Sequence, residues 1–213
     1  NPNNPGLAYS NFDICHRIIA NVSYRLTWNK SWATTFALFA SFQSGAPYTY
    51  GFINYTIQNT PQQVSLAYIP NKGEAVNFFQ DVKDAGGQVI QSAAMQAQTF
   101  NDFIEGNSYL RTRRGRFTER NAARTPWNND IDFHFAHDFG IVTHKGERAE
   151  HVITVSWDIL NLTNLINKNW GWVYFSPNTY NSMSSVGLVP FIPAKTSQGY
   201  PLFTFQNPGR PYS

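Results

Sequence analysis

Six arginines fall within fourteen residues of this chain: Arg111, Arg113, Arg114, Arg116, Arg120 and Arg124. A guanidinium group presents planar, forked donors that fit phosphate or carboxylate two bonds at a time, so such a cluster can hold an acidic ligand. It can equally be the cationic half of a structural ion-pair network, with Glu119, Asp130 and Asp132 as the nearby acids. The second reading carries more weight from sequence. Nucleic acid is not expected. Binding single strands calls for aromatics interleaved with the basic residues, and only Phe117 stands among these. A formal charge of +3 is also too small to argue for it.

A second constellation is Asp132, His134 and Asp138, spaced by two and four. On an extended strand these residues share one face, with i and i+2 about 6.5–7 Å apart, a strained separation for two ligands of one ion. No Cys or His pair has the usual zinc spacing, so the expectation is hydrogen bonding on a water-facing wall, with no metal. Covalent chemistry finds no signature either. There is no Gly-x-Ser-x-Gly, and Cys15 has only its neighbour His16 as a base. No phosphate-cradling glycine loop is present, and no cofactor or enzymatic activity is expected. A single cysteine excludes an internal disulfide framework. The sequons at Asn21, Asn29, Asn54 and Asn161 fall mostly in or beside expected strands and read as chance matches.

The elements that must position these residues are strands. Over 13–28 the even positions are Ile14, His16, Ile18, Ala20, Val22, Tyr24 and Leu26, and Arg17, Asn21, Ser23 and Arg25 lie among the odd ones. A period of two marks a strand with one apolar and one polar face. Asn29-Lys30-Ser31 then form a tight turn into a strand over 32–45, with Trp32, Phe36, Leu38 and Phe42 on one face. A third strand over 129–142 places Ile131, Phe133, Phe135, His137, Phe139 and Ile141 opposite Asp132, His134 and Asp138. A turn at 144–148 leads to a fourth over 151–162, with Ile153, Val155, Trp157 and Ile159 on one face. Residues 199–206 allow a fifth strand. The long connections are 46–128 and 163–198. Within the first, Ala93, Gln96, Ala97, Phe100, Phe103 and Ile104 follow a helical period over 92–105, closed by Gly106.

These strands exceed the usual length of about 5–6 residues in water-soluble folds and suit a bilayer crossing, which takes about 9–11. Short turns fall at one end and long loops at the other, the asymmetry of outer-membrane barrels. Composition agrees. Charged residues make up 14% and aromatics 16%, with a mean hydropathy of −0.38 and no run of about 18 apolar residues that would make a spanning helix. The fold class expected is therefore all-β: an antiparallel transmembrane β-barrel segment. Ile18, Phe36, Phe133 and Trp157 would face lipid, and Arg17, Arg25, Asp132 and Asp158 would face water. Tyr24, Trp28 and Trp32 flank the first turn and would form a membrane girdle. His16, on the apolar face, would sit near the rim.

Several stretches resemble one family in order along the chain. They are Asn11-Phe12-Asp13-Ile14-Cys15-His16-Arg17, Gln43-Ser44-Gly45-Ala46-Pro47-Tyr48-Thr49, and Tyr109-Leu110-Arg111 with Arg114-Gly115-Arg116 and Glu119-Arg120-Asn121. Pro126-Trp127 and the run from Asp158 through Asn161-Leu162-Thr163-Asn164 to Trp170-Gly171 complete the set. Together they resemble the C-terminal part of the barrel of TonB-dependent outer-membrane receptors of the Oar-like type. The resemblance implies energised ligand uptake, or protein export, across a bacterial outer membrane. It also implies contact with outer-membrane lipid and lipopolysaccharide, a plug domain and further barrel strands elsewhere, and an inner-membrane TonB energising complex acting through parts not in this chain. Other outer-membrane proteins are further candidate partners. The arginine cluster, with Asp132, His134 and Asp138, would then meet ligand, lipopolysaccharide phosphate or plug. Residues 1–213 hold no plug and no energising box, and they end without the family's closing aromatic strand. The chain is therefore expected to be part of one larger barrel domain. The alternatives are an outer-membrane scaffold or docking barrel without transport, and a soluble β-domain with binding loops.

Overall fold

A computed structural model describes residues 6–53, 64–141, 151–175, 183–195 and 201–209. β-Strand dominates, the sheets are largely antiparallel, and helix is scarce. The strands run, in chain order, β1 (Arg17–Thr27), β2 (Trp32–Gln43), β3 (Pro47–Ile53), β4 (Val64–Leu66), β5 (Tyr68–Ile69), β6 (Val82–Lys83), β7 (Val89–Gln91), β8 (Arg116–Phe117), β9 (Ala123–Arg124), β10 (Asn128–Ile141), β11 (His151–Ile159), β12 (Met183–Ser185), β13 (Leu188–Lys195) and β14 (Pro201–Phe205). The helices are α1 (Ala93–Glu105), α2 (Ser108–Thr112) and α3 (Leu162–Ile166). Among the described residues no sheet closes on itself. No described helix is long and apolar enough to cross a membrane.

The chain divides into two compact units. One comprises residues 14–45 and 126–174 and is built on a single four-stranded antiparallel sheet in the order β1-β2-β10-β11. The turn between β1 and β2 is set by Asn29, whose side-chain oxygen accepts from the Ser31 and Trp32 amides at 2.8 Å each. This is the self-capping that makes Asn a turn residue. It fixes Thr27 opposite Ala33, and the pairing runs without a shift to Arg17 opposite Gln43. β10 continues the register, with Phe135 opposite both Phe36 and Trp157. The expected strands over 13–28, 32–45, 129–142 and 151–162 are thus present, the third shifted by one residue and the others with narrower bounds. The turn expected at 144–148 lies outside the described residues.

The other unit comprises residues 1–13, 46–125 and 175–213. Here the expectation of two long irregular connections gives way to a folded body with its own core. Tyr48, Tyr50, Ile69, Phe100, Ile104, Leu110, Phe203 and Phe205 are buried in it. Tyr50 is central: its ring stacks on Tyr109 and meets Tyr48 and Phe103 edge-on. Its hydroxyl accepts from the Asn107 side chain at 2.7 Å. The expected helix is present as α1, capped by Ser92 accepting from the Met95 amide and ending at Gly106. It buries Gln96, Ala97, Phe100 and Ile104. Gln96 is a buried polar pin, donating to the Gln80 carbonyl and accepting from the Phe205 amide. The strands of this unit escape the period-two signal because most are two or three residues long and pair with distant partners, as β5 does with β8 and β3 with β12. The suggested fifth strand over 199–206 is β14, narrowed to Pro201–Phe205 and paired with β13.

Asn121 is the tightest single constraint in this unit. It takes the left-handed conformation at φ 57° and is buried. Its amide accepts from Thr49 Oγ1 and donates to the Tyr9 carbonyl and the Asn11 side chain. Its backbone N–H donates back to Thr49 Oγ1 at 2.9 Å. Replacing Asn121 by Ala would lose these bonds and place a β-carbon residue without Asn's local hydrogen bonding in the left-handed region. N121A is expected to destabilise the protein by roughly 2–3 kcal/mol, and N121D by at least as much because its buried carboxylate has no proton for the Tyr9 carbonyl, read as a shift in the chemical-denaturation midpoint.

Candidate membrane-facing sheet and the arginine cluster

Across β1, β2, β10 and β11 the register brings apolar residues to one face in rows: Val22, Leu38, Phe133 and Ile159 in one, Tyr24, Phe36, Phe135 and Trp157 in the next. Aromatic contacts cross the strands there. Phe36 meets Phe135 edge-on at 5.5 Å, and Phe135 meets Trp157 at 6.2 Å. This face is uncovered. Ile18, Val22, Tyr24, Ile153 and Trp157 are each more than half exposed. Isolated exposed apolar residues are ordinary, but a continuous face of them marks an interaction surface. Ile18, Phe36, Phe133 and Trp157, expected on one face, do share it.

The opposite face carries Arg17, Arg25, Asp132, His134, Asp138 and Asp158, with Ile19, Phe39 and Val152 as apolar exceptions. Arg25 on β1 reaches over β2 to Asp138 on β10 at 2.6 Å. It can do so because β2 presents only Ala33, Thr35 and Ala37 beneath it, and strands lie about 4.8 Å apart. Asp138 also accepts from Thr154 on β11, so one polar chain crosses the whole sheet. His134 pairs with Asp158 at 2.6 Å, and Asp132 accepts from the Asn161 backbone N–H at 2.9 Å. Asp132, His134 and Asp138 therefore act separately, each bound to a different partner across or beyond the strand. Among the described residues no group of three His, Cys, Asp or Glu is placed to hold a metal ion. Arg25, Thr154 and Asn161 are the members of this network that the spacing alone does not reveal. The role of Arg25 depends on the β2–β10 register, which joins segments about eighty-five residues apart in the chain, and those of Thr154 and Asn161 on the β10–β11 pairing.

The two ends of the sheet are aromatic. At the turn end Trp28 donates its indole N–H to Thr34 Oγ1, which bonds His137 Nδ1, and Trp32 packs edge-on against His137 and Phe139. At the opposite end His16 stacks on Trp127, and its backbone pairs with Ser44. Of the expected girdle, Trp28 and Trp32 lie at the turn. Tyr24 lies further along β1, opposite Phe36 and inside the apolar face.

The arginine cluster belongs to the other unit and divides in two. Arg113, Arg114 and Arg124 are braces. Arg113 pairs with Glu119 at 2.9 Å and donates to the Phe117 carbonyl. Arg114 pairs with Glu105 at 3.0 Å and donates to Asn101 Oδ1 and the Pro70 carbonyl, joining α1 to the chain before it. Arg124 pairs with Asp13, donates to the Asp13 carbonyl and lies over the Tyr9 ring, holding residues 9–13 in place. Arg111, Arg116 and Arg120 are exposed. An ion-pair network is thus present with Glu119 as expected, but its other acids are Glu105 and Asp13. Asp130 and Asp132, expected in that role, belong to the sheet unit. The parity of a strand places the latter two, whereas the fold of residues 46–125 places the former.

No protein-family model, curated protein or solved structure matches this chain.

The Arg114 hydrogen bond holds the Glu105 carboxyl below its ordinary range, with further help from the Lys72 and Arg114 charges. A carboxyl depressed in the folded state contributes stability that is present above its unfolded pKa, about 4.3. That contribution is lost as pH falls through the folded value. Stability of the wild type is therefore expected to drop more steeply below about pH 4.5 than that of E105Q, in paired denaturation series against pH.

Proposed function

We propose that this chain is part of the wall of a TonB-dependent outer-membrane receptor, a transporter for energised ligand uptake or protein export at a bacterial outer membrane. The observation that carries this reading is the sheet β1-β2-β10-β11, with one exposed and mainly apolar face interrupted by Thr34 and His137, one ion-paired polar face and, among the described residues, no partner on the outer edges of β1 and β11. In water such a sheet would expose both its apolar face and its edge N–H and C=O groups. A membrane barrel gives each surface a partner: lipid for the apolar face, water or plug for the polar face, and neighbouring strands for the edges.

Dimensions support it. From Trp32 to Phe42 on β2 the apolar face runs over eleven residues, roughly 33 Å of strand. Tilted near 40°, this is about 25 Å along the membrane normal, the height of the apolar band of such barrels. Trp28 and Trp32 bound it at one end and Trp127 near the other, where amphipathic rings favour the interface. The short turn at Asn29 would face the periplasm and the longer connections the exterior. The second unit, built from those connections, would then carry ligand selection, since recognition usually resides in connections on a rigid scaffold. Arg111, Arg116 and Arg120 would be its exposed cations for acidic ligand groups or lipopolysaccharide phosphate. No covalent step belongs to this reading.

Fractionation of native membranes tests it. The species carrying this sequence is expected in the outer-membrane fraction, requiring detergent for extraction. Its intact mass should be several times 24.2 kDa, or a partner of such size should co-purify. A monodisperse 24.2 kDa species soluble without detergent would refute the reading and favour a soluble β-domain.

A further inference from the structure

The chain leaving β11 carries apolar residues that neither the sheet nor the second core absorbs. Residues 160–174 form an arch containing α3 and pinned at both ends to β10. At its start Asn161, in the left-handed conformation at φ 54°, donates its backbone N–H to Asp132. At its end the Tyr174 N–H donates to Asn128 Oδ1 at 3.2 Å. Between them the Asn161 amide closes the arch on itself, donating to the Gly171 carbonyl at 3.3 Å while accepting from Thr163 Oγ1. A β-carbon at Gly171 would meet that amide, which would have to swing aside and give up its bond to the Gly171 carbonyl. The Asn161 and Thr163 side chains are thus turned inward, onto the arch itself, while Asn164, Lys168 and Asn169 are exposed.

Its large apolar groups are turned outward. Leu160, Leu165 and Ile166 are each almost three-quarters exposed, and Trp170, Trp172 and Val173 at least half. The only charge between 160 and 174 is Lys168, also exposed. A fixed backbone presenting leucine, isoleucine and two tryptophans beside one lysine has the composition of a segment lying in a lipid headgroup layer. Indole rings and a cationic tip suit the anionic headgroups, and the aliphatic groups reach the first acyl carbons. The arch also continues the apolar face: it follows Ile159 directly, at the same end of the sheet as the Trp127–His16 stack.

We propose that residues 160–174 are an in-plane interfacial anchor, held by the Asp132–Asn161–Gly171 latch against β10 and seated on an anionic lipid surface. The inference rests on the sheet being lipid-facing, and its test separates the two. In the full protein with Cys15→Ser, single cysteines are introduced as Leu165→Cys, Ile166→Cys or Val22→Cys and labelled with an environment-sensitive fluorophore. Phe117→Cys on the other unit serves as a water-exposed reference. The proteins are reconstituted in vesicles of phosphatidylethanolamine and phosphatidylglycerol, with nitroxide quenchers placed either near the headgroup or near the chain terminus. The proposal expects the labels at 165 and 166 to lose more emission to the shallow quencher than to the deep one. The label at 22 should lose emission to the deep quencher, and the label at 117 to neither. Quenching at 22 with none at 165 and 166 would overturn the anchor and leave the barrel reading standing. Stronger deep than shallow quenching at 165 and 166 would also overturn it, because the segment would then cross rather than lie flat. No quenching at any of these sites would remove both.

Discussion

The unshifted register across β1, β2, β10 and β11 is the constraint on which the rest depends. Side chains alternate strictly along a strand, so a slip of one residue would carry Tyr24 on β1, Phe36 on β2, Phe135 on β10 or Trp157 on β11 to the face of Arg25 and Asp138. The Asn29 turn sets the first pairing. The Arg25–Asp138–Thr154 chain ties β1, β10 and β11 together over the small residues of β2. Each of these links is exposed and individually weak, as surface ion pairs are. Their value lies in position, because they agree with the apolar rows on the other face about which residue stands opposite which.

That arrangement leaves two needs unmet within the described sheet: a partner for the apolar face and partners for both edges. The second unit meets its own needs differently. It buries a ring-rich core around Tyr50 and Phe100 and pairs buried polar groups internally at Gln96, Thr118 and Asn121, leaving Arg114 Nε and Thr125 Oγ1 without a partner among the described residues. One unit thus leaves an apolar face and two sheet edges without a partner among the described residues, and the other folds around a core of its own.

The sheet was legible because long strands repeat their signal. Over 14–26 and 131–141 the alternation of Ile, Val, Phe and Tyr with Arg, Asp and Asn reads directly as two faces, and the structure places them so. The helix α1 was legible for the same reason, at a different period. The second unit was not, because strands of two or three residues carry no period and some of their pairings join distant segments, as between Tyr68 and Phe117. The arginines show the same limit. Their number and spacing are visible in sequence, but whether each meets Glu105, Glu119 or Asp13 is decided by how α1 and residues 9–13 fold back. Asn161 could have been noticed as an Asn between a strand and a helical stretch, where left-handed residues are common. Its bond to Asp132 could not.

The central claim is that one face of this sheet meets lipid and the other water. It is tested most directly by a cysteine walk along β1 from Ile18 to Leu26, in the full protein in vesicles. Each position would be scored for labelling by a membrane-impermeant thiol reagent and for quenching by nitroxide lipids. Strict alternation is predicted, with positions 18, 20, 22, 24 and 26 quenched by lipid and slow to label. Positions 19, 21, 23 and 25 should be unquenched and quick to label. Equal, fast labelling at successive positions would contradict it and return the sheet to water.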